Sequence, residues 1–116
     1  MEEPEKSFEI IKKMLSKNKK ITSIICSTEF SALSAIKACN YLNLEIGKDI
    51  SIITFDGPLV KDLSSPPLTA ISFPVQELGK RAIKILLKGH SNKNNYSNFQ
   101  AKSEIIERGS VHQVRE

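Results

Sequence analysis

Asp56 is the residue of this chain best placed to do small-molecule chemistry. It ends an apolar, β-branched run, ISIITF at 50–55, and Gly57 follows it. In an open parallel sheet, ligands gather at the carboxyl ends of the strands. A lone carboxylate there reads as an acceptor for hydroxyls or other polar donors. A second polar pair, Thr28–Glu29, follows the other apolar run, ITSIICS at 21–27. If both runs are parallel strands, the two polar tips open on one edge and converge on one polar ligand. Each also has a plain structural use. Thr28 is a normal helix N-cap and Glu29 a normal first-turn acid, and Asp56 with Gly57 makes an ordinary turn.

The elements that must carry these residues are legible. Pro4 and the acids Glu2, Glu3 and Glu5 suit a helix start, and Phe8, Ile11, Met14 and Leu15 recur at helical spacing over 5–17. Residues 29–43 predict the next helix, with Ala32, Ala35, Ile36, Ala38, Cys39 and Leu42 on one side. Small residues on that face let it lie close against a sheet. The segment 57–68 holds Gly57, Pro58, Ser64, Ser65, Pro66 and Pro67, all turn residues. A short strand at 70–73, a helix over 74–88 capped by Gly89, a polar Asn-rich loop at 91–98 and a last strand over 102–108 complete the chain. Strands alternating with helices predict an α/β fold, a three-layer arrangement around a mostly parallel sheet.

Other chemistries lack their residues. Neither a Gly-rich phosphate loop nor a GxSxG elbow occurs. His90 at a helix end and His112 in the tail stand far from Cys26 and Cys39 and read as surface residues, so no metal and no cofactor is expected. The two cysteines, one in a strand and one in a helix, read as buried free thiols of a reducing cytoplasm. An enzyme would rest on Asp56 alone.

Composition is ordinary for one globular domain: 40% hydrophobic and 26% charged, at net charge +4. The excess charge sits largely in Lys12, Lys13, Lys17, Lys19 and Lys20, around the end of the first helix, where cations complement the helix terminus. No aromatic residue is interleaved with them, so bases have no stacking platform. No apolar run approaches the roughly 20 residues needed to span a bilayer. The acidic, polar start MEEPEKSF does not read as a secretory signal.

Four segments in order resemble the LacI/GalR family of transcription regulators. ITSIICSTEFSALSAIKACNYLNLEIGKDISIITFDG is similar to the family's strand, Asn-Asp element, helix and Gly-(Phe/Tyr)-Asp element. SSPPLTAISFPVQELGKRAIKILLKG resembles its proline–Leu-Thr-Thr crossover and following helix, and SEIIERGS its closing strand with Arg and Ser. The resemblance covers about residues 6–110. It implies part of the carboxyl-side lobe of a periplasmic-binding-protein-like (type I) effector domain. Residues 1–116 are then one effector-binding and dimerisation domain, without the helix-turn-helix headpiece through which the family binds operator DNA. The implied partners are a sugar-like small-molecule effector and a second copy of the chain, in the cytoplasm, with no membrane contact.

Under that resemblance Asp56 aligns with an effector-contacting Asp. Thr28 stands where the family usually has Asn, and Glu29 where it usually has Asp. Thr54 replaces the usual Gly. A Thr hydroxyl does not offer the paired donor and acceptor of an Asn amide. The implied dimer contact falls on Leu33, Leu59, Val60 and Leu63. Leu33 lies off the Ala-rich face, and the other three are apolar residues in a loop, a pattern that marks interfaces unless they tuck beneath it. Two further readings compete: a transport-type sugar-binding protein, and a small α/β enzyme or receiver-like domain using Asp56 as nucleophile or metal ligand. The first would want a secretory signal, the second an acidic pair and a partner lysine.

Overall fold

A computed structural model of the chain describes residues 4–55, 63–89 and 98–113. The elements are α1 (Pro4–Lys17), β1 (Ser23–Cys26), α2 (Glu29–Tyr41), β2 (Ser51–Phe55), β3 (Thr69–Ser72), α3 (Val75–Gly89) and β4 (Glu104–Ile106). The four strands form one sheet in the order β1-β2-β3-β4, with β1–β2 and β2–β3 parallel. The expected α/β fold with an open, mostly parallel sheet is therefore present. No described helix is long and apolar enough to cross a membrane.

The chain divides into two compact units. The larger comprises Met1–Ser72 and Ile105–Glu116. Here α2 packs on β1 and β2, and α1 packs on α2. Ala32, Ala35, Ala38 and Cys39 of α2 are wholly buried; their small side chains bring the helix backbone close to the strands. The core beneath is Leu15, Cys26, Ile36, Ile46, Ile50, Ile52 and Leu68, flanked by Ile11, Ile21, Ile24, Leu42 and Leu44. Burial of both sides of β2 at Ser51, Ile52 and Thr54 is what a central parallel strand requires.

α2 ends with Asn43 in the left-handed region, φ 54°. The Leu44 N–H bonds the Cys39 carbonyl (2.9 Å) and the Asn43 N–H the Asn40 carbonyl (3.2 Å). This is the six-to-one and five-to-two pairing of a Schellman cap, with Asn in the place glycine usually takes. Leu44 then packs on the core.

The carboxyl segment 107–112 is tied to the amino-terminal ends of β2 and β3. The Thr69 N–H donates to Ser110 Oγ (2.8 Å), whose hydroxyl donates to the Ile52 carbonyl (2.6 Å). The Ile52 N–H donates to the Ser110 carbonyl (2.9 Å). The Arg108 N–H donates to Thr69 Oγ1 (3.0 Å), and its guanidinium donates to the Leu68 carbonyl. The strand expected over 102–108 shortens to three residues because, from Arg108 onward, the backbone is satisfied by side chains and by β2. His112, expected at the surface, is half-buried, with Nδ1 3.0 Å from Ser51 Oγ.

The smaller unit is Phe73–Glu104. α3 is amphipathic and runs through Gly89, the residue expected to cap it. The Arg81 guanidinium stacks on the Phe99 ring at 4.2 Å.

Candidate functional site

The register of β1 and β2 sets the site. Ser23, Ile24, Ile25 and Cys26 pair with Ser51, Ile52, Ile53 and Thr54, so the carboxyl ends of the two strands lie level. Thr28 comes two residues after Cys26, and Asp56 two residues after Thr54. Asp56 itself, with Leu59 and Val60, lies outside the described residues. Of the sequence-expected site, the structure describes Thr28 and Glu29, together with Leu33 and Leu63.

Thr28 performs the capping role that its position allows. Its backbone is extended (φ −142°, ψ 161°), the Ser31 N–H donates to Thr28 Oγ1 (3.2 Å), and the Thr28 N–H donates to Ser31 Oγ (3.1 Å). The Ser31 hydroxyl also bonds the Thr28 carbonyl (2.8 Å). This reciprocal capping box satisfies orphan donors at the start of α2. Ser31 is a residue that sequence reasoning passed over, and the T-x-x-S spacing was its signal. Glu29 is a half-buried first-turn acid beside the positive end of the helix dipole. Behind the site Thr54 is 1% exposed and its hydroxyl bonds the Phe55 carbonyl (3.3 Å).

The floor under this edge holds Cys26 and Cys39, both buried free thiols. Burial pushes Cys26 up to about 11, partly opposed by its hydrogen bond with Ser31. Burial, then the charge Cys26 would carry, pushes Cys39 up to about 11. Both are therefore protonated, poorly nucleophilic thiols. Among the described residues no three of His, Cys, Asp and Glu converge as a metal-ligand set.

Leu33 is 36% and Leu63 59% exposed, and Phe30 and Tyr41 of α2 are exposed as well. The lysine cluster differs from expectation. Packing of α2 on α1 brings Tyr41 edge-on to Phe8, with centroids 6.0 Å apart. Lys12 Nζ lies 5.0 Å from the Phe8 ring and 5.1 Å from Tyr41, and Lys37 Nζ lies 4.7 Å from Phe8. Phe8 stands four residues before Lys12 on α1 itself, one helical turn away, whereas Tyr41 comes from α2, 29 positions along the chain from Lys12.

Comparison with known proteins fits this geometry. Residues 2–111 match the model of the periplasmic binding protein-like domain. The HTH-type transcriptional repressor PurR of Aliivibrio salmonicida is 35% identical over 105 residues, covering 90% of this chain and 32% of the relative. The HTH-type transcriptional regulator MalR of Streptomyces coelicolor is 33% identical over 91 residues, covering 78% of this chain and 26% of the relative. The crystal structure of a LacI-family transcriptional regulator from Bifidobacterium animalis superposes with a TM-score of 0.83 at 28% identity, covering 93% of this chain and 40% of that one. The chain spans about a third of the length of such curated relatives. The chain belongs to the periplasmic binding protein-like domain family and corresponds to part of the effector domain of LacI-family transcription regulators.

Proposed function

We propose that this chain is a ligand-sensing part of a transcription regulator and contributes one wall of the effector cleft. Asp56, Thr28 and Glu29 form that wall. The observation that supports this reading is the level register of Cys26 with Thr54. The ends of β1 and β2 are thereby level at the carboxyl edge of a parallel sheet, the edge where ligands gather, and Thr28 and Asp56 each follow two residues after those paired positions. The Asp56 carboxylate accepts from the effector's hydroxyls or other polar donors. Thr28 Oγ1 accepts from the Ser31 amide and donates to Ser31 Oγ, so contact with a ligand would compete with the cap. The effector is a sugar-like or other small polar molecule, the setting is cytoplasmic, and the role is recognition rather than catalysis. Operator DNA is reached through a helix-turn-helix of the kind that names the relatives.

The test is an amide NMR titration of the chain with a panel of mono- and disaccharides and polar heterocycles. Binding weaker than about 1 mM, with shifts confined to residues 26–31 and 53–57 and lost in Asp56→Asn, is the expected result. Shifts elsewhere, or undiminished binding in Asp56→Asn, would count against this site. Micromolar binding would refute the one-wall reading.

We also propose a homodimer through the outward side of α2 and the loop that follows β2, with Leu33, Leu59, Val60 and Leu63 at the contact. The exposure of Leu33 and Leu63 supports it. Sedimentation equilibrium of Leu33→Glu and Leu63→Glu variants should show dissociation; unchanged self-association would exclude this surface.

A further inference from the structure

We propose that Ser31 is a specificity-determining residue of the effector edge. It holds the Thr28 hydroxyl proton, so Thr28 meets an effector as an acceptor and favours one that brings a donor. The inference rests on the reading of Thr28 as part of the effector wall and adds the class of group that Thr28 selects. Ser31 is a positioning residue, since it acts through Thr28.

The direction of each bond follows from the partners. Ser31 Oγ lies 2.8 Å from the Thr28 carbonyl oxygen. A carbonyl only accepts, so the single proton of the Ser31 hydroxyl is committed there. Ser31 Oγ also lies 3.1 Å from Thr28 Oγ1. With the Ser31 proton engaged, the proton in that contact belongs to Thr28. The Thr28 N–H occupies the other lone pair of Ser31 Oγ (3.1 Å), and the Ser31 N–H donates back to Thr28 Oγ1 (3.2 Å). These bonds within one turn fix a hydroxyl rotor that otherwise turns to suit its neighbours. Both residues are half-buried, which leaves part of the pair open to solvent.

The two kinds of ligand group meet this pair differently. A donor shares Thr28 Oγ1 with the Ser31 amide and leaves the hydroxyl proton where it is. An acceptor has to draw that proton away from Ser31 Oγ, and the Ser31 lone pair loses its partner. The preference amounts to about one ordinary hydrogen bond, roughly fivefold in affinity. It favours the hydroxyl and N–H groups of sugars, amino sugars and N–H heterocycles over carboxylate, phosphate and carbonyl groups. An anion meets a further obstacle. The Ser31 N–H is one of the amides that a helix start offers to anions, and it is already engaged by Thr28 Oγ1. Glu29 adds an acid in the same first turn.

The test uses the full isotopically labelled chain with benzamidine and benzoate, planar probes of one size. The first presents only donors through its amidinium group, the second only acceptors through its carboxylate. Benzamidine should shift the amides of residues 26–31 at lower concentration than benzoate. Ser31→Ala releases the Thr28 proton without changing the charge of the chain. It should move the ratio of the two affinities toward benzoate by about fivefold, whereas loss of a merely structural cap would weaken both probes alike. Ser31→Thr keeps the hydroxyl and should keep the ratio. Circular dichroism verifies that the variants stay folded. Thr28→Asn, which brings an amide donor to the cap position, should move the ratio in the same direction and serves in place of an unfolded Ser31→Ala. An unmoved ratio in either variant, or one moved as far by Ser31→Thr, overturns the role of Ser31 and leaves the effector edge standing. If neither probe shifts residues 26–31 in the unchanged chain or in Ser31→Ala, the inference falls together with the reading of Thr28 on which it rests.

Discussion

The Thr69 N–H and Ser110 Oγ meet at 2.8 Å across 41 positions of sequence. Ser110 is completely buried, and the same hydroxyl donates to the Ile52 carbonyl. One side chain therefore links the start of β2 to the start of β3 from outside both strands. Replacing Ser110 by Ala leaves a buried amide and a buried carbonyl without their partner. We expect a loss of about 1–3 kcal/mol, read as a lower midpoint in urea unfolding. Ser110→Thr, which keeps the hydroxyl, tests whether the loss follows the hydrogen bonds or the tight packing around a wholly buried position.

Close packing at Gly47 makes a second expectation. Gly47 has φ +82°, and a Cβ there would overlap the Gly109 carbonyl oxygen. Gly79, in the middle of α3, has nothing within 4 Å of the corresponding position. The same substitution should thus act in opposite directions. Gly47→Ala should destabilise the larger unit by more than about 1 kcal/mol. Gly79→Ala should strengthen α3 by about 0.5–1 kcal/mol, seen as slower hydrogen exchange of its amides. A neutral Gly47→Ala would show that the 46–50 turn relaxes freely away from the carboxyl segment.

Capping and ligand contact at Thr28 can be separated. Thr28→Ala removes the acceptor of the Ser31 N–H and should cost about 1 kcal/mol. Thr28→Asn and Thr28→Ser retain a capping oxygen and should leave thermal stability within a few tenths of a kcal/mol. Asn also restores separate amide donor and acceptor groups at this edge. If Thr28 belongs to the effector wall, Asn and Ser should alter ligand-induced shifts at equal stability. If it is a cap only, the shifts should match the unchanged chain.

These three cases show what the linear sequence carries and what it does not. Periodicity and breakers located all seven elements, since Ile52 and Thr54 on β2, or Ala32, Ala35 and Cys39 on α2, owe their places to local patterning and burial. The capping place of Thr28 was legible for the same reason, since it directly follows a strand run and precedes the helical pattern of α2; Asp56 lies outside the described residues. The role of Arg108 and Ser110 was visible only as a family motif. Its cause is the pairing of the tail with Ile52 and Thr69, about 40 to 60 positions away, which no local rule encodes. His112 was read as surface because its partner, Ser51, is 61 residues distant. The lysines at 12–20 looked like one solvated cluster. The fold splits them: Lys12 goes to the rings of Phe8 and Tyr41, while Lys13 and Lys17 lie beside the exposed Ile10 and Met14 of α1.

The paired thiols predict how stability responds to alkaline pH. In the folded chain Cys26 and Cys39 are each raised from the ordinary 9.0 to about 11, chiefly by burial. For a group raised on folding, its contribution is fully present below the unfolded value and is lost as pH climbs toward the folded one. Between pH 9 and 11 the unfolded chain has released thiol protons that the folded chain still holds, so each unit of pH favours unfolding. The slope is on the order of 1 kcal/mol per pH unit for each thiol. The measurement is a difference between two proteins that share every ionisable group except the two thiols. Urea midpoints should fall more steeply from pH 8.5 to 10.5 in the unchanged chain than in Cys26→Ala with Cys39→Ala. The double variant begins less stable because two packed side chains are gone. Parallel pH profiles for the two proteins would show that the thiols ionise as readily in the core as in the unfolded chain, and that the core beneath the carboxyl ends of β1 and β2 admits water.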